Sequence, residues 1–137
     1  MCYPYTFTDM IYFLESIAPL KPLTESIEKR INSILRRAPL CKTTAGNNLD
    51  MLIITNFMSS QDAIAKRKCI VLTGRVHPGE SNSSFVVEGL LEFLVSDETA
   101  AKTLRDRYVF KIVPMLNPDG VIVGNYRCSL SAHDLNR

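Results

Sequence analysis

The stretch CIVLTGRVHPGES, residues 69–81, opens as a continuous apolar run and closes on a turn dense in polar chemistry. Cys69 to Thr73 is too short for a helix and lacks polar alternation. That is the pattern of a central strand buried on both faces. Pro78 and Gly79 interrupt regular structure directly after it. His77 and Glu80 therefore fall three residues apart on a loop at the C-terminal end of a strand, which is where open α/β sheets bind ligands.

Imidazole nitrogen and carboxylate oxygen are both good zinc ligands. A loop bent by Pro-Gly lets two such side chains converge on one point. Two ligands alone hold a metal weakly, and a catalytic zinc normally takes three from the protein and leaves one position for water. The third has to come from elsewhere in the chain. The plain alternative is a surface histidine near an unrelated glutamate.

Working outward, residues 83–95 predict a helix with Phe85, Val86, Leu90, Phe93 and Leu94 on its apolar face. A second helix over about 98–107 and a strand over 108–115 follow. Strand, helices, strand is a crossover unit, so the two strands are expected to be parallel, with a right-handed connection. Asn117-Pro118-Asp119-Gly120 reads as a turn, and the tail from Val121 as short apolar pieces and polar loops. If the strands are parallel, the loop after 115 shares a sheet edge with His77. It leads to Arg127, Asn136 and Arg137, whose guanidiniums and amide suit a carboxylate. Taken singly, each also fits a surface ion pair or a turn cap.

Upstream, residues 6–18 predict a helix, with Thr6 and Asp9 as a capping box or Thr8 capping alone, stopped by Pro19. Pro22 and Thr24 open a second helix on which Ile27, Ile31, Ile34 and Leu35 recur. Ala45-Gly46-Asn47-Asn48 favours a hairpin turn between a strand around Leu40 to Thr44 and another from Leu49 to Thr55. Residues 57–67 read as an exposed loop.

The 137 residues are 46% hydrophobic and 22% charged, with net charge +2. That is one globular domain without the basic excess of a nucleic-acid binder. Lys29-Arg30, Arg36-Arg37 and Lys66-Arg67-Lys68 read as solvated surface. The N-terminus lacks the features of a signal peptide, and no run approaches the roughly 18 apolar residues of a membrane span. Cys2, Cys41, Cys69 and Cys128 form no C-x-x-C pair and read as reduced, partly buried thiols of a cytosolic protein. The sequon Asn82-Ser83-Ser84 is expected to be idle.

H-P-G-E, then P-M-L-N-P-D-G, then N-Y-R-C-S-L-S and D-L-N-R, in this order and spacing, resemble the zinc carboxypeptidases of the funnelin type. The resemblance is closest to the cytosolic carboxypeptidase branch, which trims glutamates from tubulin tails. It runs from about Cys2 through Arg137. It implies an α/β fold with a mixed, partly parallel central sheet flanked by helices, truncated relative to the family. Residues 1–32 would be a helical lead-in from an absent N-terminal β-domain. Residues 33–137 would be the first half of a catalytic domain. Residues 33–44 are then largely strand, so the second helix is expected to end near Ile31 to Ser33.

The resemblance also implies one Zn2+ per complete catalytic domain, with His77 and Glu80 as its first two ligands. Arg127 matches the catalytic arginine that polarises the scissile carbonyl. Arg127, Asn136 and Arg137 match the substrate-binding residues, the last two gripping the terminal carboxylate. The implied partners are C-terminal tails of acidic proteins such as tubulin, with neither nucleic acid nor membrane, in the cytoplasm. Two departures stand out: Ala132 occupies a position where the family has Gly, and His133 falls where the family varies and reads as a loop residue. The family's third ligand, a histidine, and its general-base glutamate lie further downstream and have no counterpart here. The expectation is an enzyme by family and an incomplete, inactive fragment by itself. The alternatives are a non-catalytic module that binds carboxylate-bearing tails and an unstable fragment without activity.

Overall fold

A computed structural model describes residues 3–21 and 24–137. Cys2 and the helix-opening signal at Pro22 lie outside them. Helix α1, Phe7–Ile17, starts where its capping box puts it. Thr6 Oγ1 accepts the Asp9 N–H at 3.1 Å, and the Asp9 carboxylate accepts the Thr6 N–H at 2.8 Å. Helix α2, Glu25–Ile34, is capped by Thr24 and runs to Ile34, just past the expected end, before Leu35 turns extended.

Strands β1, Leu35–Lys42, and β2, Asn48–Ile54, pair antiparallel as a hairpin. Gly46 occupies the left-handed region in its turn, at φ +84. β1 starts earlier than the Leu40–Thr44 partner read from the turn and lies within the 33–44 strand that the resemblance implied, so Arg37 falls inside the pairing. Its side chain is only 6% exposed, with the guanidinium on Asp50 at 2.8 Å and Glu15 at 2.6 Å. The Arg36-Arg37 pair is thus only half solvated surface, because two carboxylates compensate the buried charge.

The turn is fastened to a distant segment. Asp119 accepts from Thr43 Oγ1 at 2.7 Å and Asn47 Nδ2 at 2.8 Å through Oδ1, and from the Ala45 N–H at 2.9 Å through Oδ2. Burial opposes ionisation of Asp119, but these three bonds outweigh it and hold its pKa below the ordinary carboxylate value.

Residues 57–67 are not all loop. Helix α3, Gln61–Ala65, forms there, with Ser60 Oγ accepting the Ala63 N–H at 3.3 Å. It has no buried residue, hence no apolar periodicity to read. Arg67 bonds Thr55 Oγ1 at 2.7 Å, the Asn56 carbonyl at 2.9 Å and Ser59 Oγ at 2.6 Å, tying this segment to the end of β2.

Strand β3, Lys68–Thr73, helix α4, Ser81–Val95, helix α5, Thr99–Arg107, and strand β4, Tyr108–Val113, form the crossover unit. β3 and β4 are parallel, from Lys68 opposite Tyr108 to Thr73 opposite Val113. β4 also pairs antiparallel with β2, giving a mixed sheet ordered β1-β2-β4-β3. Among the described residues β3 is therefore an edge strand, and its apolar run is not buried on both faces. Ile70 and Leu72 pack into the core while Val71 is 64% exposed. A short apolar run cannot distinguish one covered face from two.

One core joins Met10 and Leu14 of α1, Val87, Leu91 and Leu94 of α4, and Leu52, Ile54, Phe110 and Ile112 of the sheet. The buried stripe of α4 thus lies one position on from the face expected from sequence. Leu94 belongs to it, but Phe85 and Val86 are exposed. Asn117-Pro118-Asp119-Gly120 does not simply turn: it starts the short helix α6, Pro118–Val123, which Gly124 ends at φ +86. Cys41 and Cys69 are exposed rather than partly buried. Among the described residues no helix is long and apolar enough to cross a membrane.

Candidate metal centre

The parallel pairing of β3 and β4 brings their C-terminal loops together. Gly74 N–H donates to the Val113 carbonyl at 2.9 Å, and the Gly74 carbonyl accepts from Leu116 N–H at 2.8 Å. A Cβ on Gly74 would lie 2.7 Å from the Pro114 carbonyl oxygen, so only glycine permits this approach. Two further glycines close the junction. A Cβ on Gly120 would sit 2.5 Å from Pro78 Cγ, and one on Gly79 would sit 2.8 Å from the Tyr126 carbonyl oxygen. Gly79 N–H donates to that same oxygen at 2.7 Å. The loop carrying His77 is thereby packed against both Gly120 and Tyr126.

Within the loop, each carbonyl from residue 75 to residue 80 has a partner. Arg75 O accepts the Asn117 N–H at 3.2 Å, and Val76 O accepts Asn117 Nδ2 at 3.3 Å. His77 O, Gly79 O and Glu80 O accept the N–H groups of Glu80, Ser81 and Ser83. Pro78 O accepts Arg75 Nε at 2.8 Å. A non-helical loop with its backbone acceptors satisfied presents side chains from a fixed frame.

From that frame, a chain of polar contacts runs across the centre. His77 Nδ1 lies 2.9 Å from Glu80 Oε1, and His77 Nε2 lies 3.0 Å from Asp134 Oδ1. Arg127 Nε donates to Asp134 Oδ2 at 2.7 Å, and the Asn136 N–H donates to Asp134 Oδ1 at 2.9 Å. His77 is 7% exposed. The hydrogen bonds to Glu80 and then Asp134 raise its pKa above the ordinary imidazole value. The Asn136 N–H and then the Arg127 guanidinium hold the Asp134 carboxyl well below the usual range, against the effect of burial.

The structure therefore brings four of the sequence-derived residues into one cluster: His77, Glu80, Arg127 and the backbone of Asn136. Asp134 organises them and had no role from sequence, although it stands in the D-L-N-R motif. Arg137 is exposed, with its guanidinium bonded to the adjacent Asn136 carbonyl at 3.2 Å. His133 turns instead to Ser131 Oγ, 3.2 Å from its Nδ1. Ala132 sits in the left-handed region at φ +61, so the position where the family has Gly is one whose backbone favours Gly.

The donor set fits zinc. When Nε2–H is donated to Asp134, a neutral His77 turns its Nδ1 lone pair to a carboxylate oxygen, an arrangement that needs a proton or a cation between the two atoms. Ligand atoms at a tetrahedral zinc, with bonds of about 2.0–2.1 Å, stand roughly 3.3–3.4 Å apart. A separation of 2.9 Å needs to open by only a few tenths of an ångström. A carboxylate on the distal histidine nitrogen fixes the tautomer and orients the ring, as metal-bound histidines require. Among the described residues, no group of three or more His, Cys, Asp or Glu side chains is arranged to hold a metal.

Sequence and fold comparisons place the chain among known proteins. Mouse cytosolic carboxypeptidase 2 is 50% identical over 98% of this chain, which spans 15% of that protein's length. Mouse cytosolic carboxypeptidase 3 is 46% identical over 99% of the chain and 12% of its own length. The crystal structure of a metallo-carboxypeptidase from Burkholderia cenocepacia superposes with a TM-score of 0.80 at 28% identity, covering 97% of this chain and 32% of that one. The sequence model of the zinc carboxypeptidase family matches residues 21–137, the span that holds the sheet, both loops and every residue of the cluster. The chain belongs to the zinc carboxypeptidase family.

Proposed function

We propose that these residues form the first part of a zinc-dependent metallocarboxypeptidase site, which removes C-terminal residues from proteins. The observation that supports this is the continuous contact from Glu80 through His77 and Asp134 to Arg127. His77 Nδ1 and Glu80 would hold the zinc, which when bound polarises a carbonyl and lowers the pKa of water. Asp134 holds the imidazole by Nε2 and so keeps Nδ1 aimed. Arg127, 44% exposed in its side chain, turns a charged edge to solvent while Asp134 fixes its Nε. That edge is available to a scissile carbonyl as negative charge develops on its oxygen. Asn136 and Arg137 carry the donors for the substrate's terminal carboxylate.

The preferred substrates in this reading are glutamate-ended acidic tails, such as those of tubulin, in the cytoplasm. The 137 residues alone, with two ligands and no general base in the cluster, are inactive. Two measurements test this. Titration calorimetry of the chain with zinc should show weak binding that His77→Ala removes. The chain joined to the downstream half of a relative's catalytic domain should release glutamate from a peptide in a chelator-sensitive way, and the chain alone should not. A joined protein that binds a glutamate-ended peptide tightly but never cleaves it would favour the tail-binding module instead.

A further inference from the structure

Arg75 directly precedes the metal loop, and it is buried, at 4% exposure. A buried guanidinium is costly without compensation, yet among the described residues no carboxylate pairs with this one. Its donors go to neutral oxygens: Nε to the Pro78 carbonyl at 2.8 Å, Nη1 to Ser84 Oγ at 2.8 Å and Nη2 to Ser81 Oγ at 3.3 Å. Its backbone is also held at φ +57, a region that L side chains rarely adopt. The Arg75 N–H donates to Ser83 Oγ at 3.0 Å, and the Ser83 hydroxyl donates to the Glu80 carbonyl at 2.9 Å. Strain and buried charge at one residue mark a place where the surroundings hold the chain to a set geometry.

We infer that Arg75 is a positioning residue for the metal pair: its guanidinium fixes the peptide between His77 and Glu80 and ties both to the first turn of α4. The carbonyls of 75, 77, 79 and 80 accept backbone N–H groups, the last also the Ser83 hydroxyl, and Val76 O accepts the neutral Asn117 amide. Pro78 O alone depends on a charged side chain, and Pro78 is itself buried. Without Arg75 that carbonyl is orphaned, and rotating its peptide towards another donor moves Gly79 off Tyr126 and changes the span from His77 Nδ1 to Glu80. Lysine cannot substitute fully, because a single ammonium does not reproduce a planar fork serving three acceptors in different directions. The role also consumes Ser84, the third residue of the Asn82-Ser83-Ser84 sequon, which is buried against the guanidinium.

This inference rests on the reading of His77 and Glu80 as the zinc pair, and one experiment separates the two. Zinc chloride is titrated calorimetrically into the 137-residue chain, with His77→Ala setting the background from thiols and the chain terminus. Melting of the metal-free chain is followed in parallel. Arg75→Met should weaken the His77-dependent binding by about 10–100-fold, the usual effect of losing a group that orients a metal ligand. Arg75→Lys should recover only part of that loss, and Ser84→Ala should weaken binding by a few-fold. A purely structural arginine would lower the melting temperature in Arg75→Met and leave the His77-dependent affinity within about twofold of wild type; that result overturns the inference. If Arg75→Met does not fold, Arg75→Lys and Ser84→Ala decide, and wild-type affinity in both overturns it. If the wild-type chain shows no His77-dependent zinc binding, the zinc reading falls and takes this role with it.

Discussion

Replacing Asp119 tests the tertiary clamp that joins the hairpin turn to the start of α6. Its carboxylate accepts three hydrogen bonds, two on Oδ1 and one on Oδ2, from residues 72 to 76 positions away. A hydrogen bond to a charged group is worth about 1.5–3 kcal/mol. Thr43 and Asn47 are half-buried and Ala45 is exposed, so their freed donors rehydrate and the low end of that range applies. Bonds that share one carboxylate do not add in full, so Asp119→Ala should cost about 2–4 kcal/mol, somewhat less than three times that low end. Asp119→Asn keeps the oxygen facing Thr43 and Asn47 but sets an amide NH2 against the Ala45 N–H, and should cost about 1–3 kcal/mol.

The pH dependence of this clamp follows from the depressed pKa. A carboxyl held below its unfolded value contributes stability above the ordinary carboxylate pKa and loses it as pH falls through the folded value. The gap between wild type and Asp119→Asn should thus be full at neutral pH and close in the acid range below about pH 4. Equilibrium urea unfolding of both chains across that range is the assay. A neutral-pH difference below about 0.5 kcal/mol, within the ordinary effect of a surface substitution, would refute the clamp. A gap that persisted unchanged into the acid range would refute its ionic character.

Other outcomes follow from the junction of loops. Gly79→Ala places a methyl 2.8 Å from the Tyr126 carbonyl oxygen and 2.6 Å from its ring Cδ2. It should destabilise the chain by about 1–3 kcal/mol and weaken His77-dependent zinc binding; an unchanged urea midpoint would contradict the packing. Ala132→Gly relieves the left-handed backbone at φ +61 and should raise stability by about 0.5–1 kcal/mol, net of glycine's extra freedom when unfolded; a lowered midpoint would count against it. Zinc must displace a proton from His77, whose pKa is raised first by Glu80 and then by Asp134. Affinity should therefore fall with decreasing pH around a midpoint above that of a free imidazole, and Asp134→Asn should move the midpoint down. A wild-type midpoint at or below about 6.5 would be inconsistent with the observed contacts.

The elements with a chemical signature were legible in the sequence. Thr6 with Asp9, Thr24 and Gly46 carried capping and turn chemistry that does not depend on distant contacts. The alternation of strand and helix likewise gave the parallel pairing of β3 with β4. What escaped depends on which face is covered. Nothing in CIVLT reveals that Val71 looks to solvent, and the apolar positions of α4 do not say which subset meets α1. α3 has no apolar face, and Arg37 looks like surface until Asp50 and Glu15 are brought beside it. In the cluster, the nearness of His77 to Glu80 could be read from the Pro-Gly loop between them. The contacts of Asp134 and Arg75 could not, because an acid and an arginine meet such partners only when the fold brings separate segments together.

The loop that bears His77 and Glu80 has its backbone acceptors satisfied by protein alone. If the loop holds zinc as proposed, capture of the ion needs proton release and loss of hydration, with little ordering of the chain. This separates the centre from small domains that stay unfolded until an ion arrives. Metal loading can then follow folding as a distinct step of maturation, and a chelator should strip the ion reversibly while the chain keeps its shape. Amide exchange across residues 74–80 should be nearly the same before and after loading.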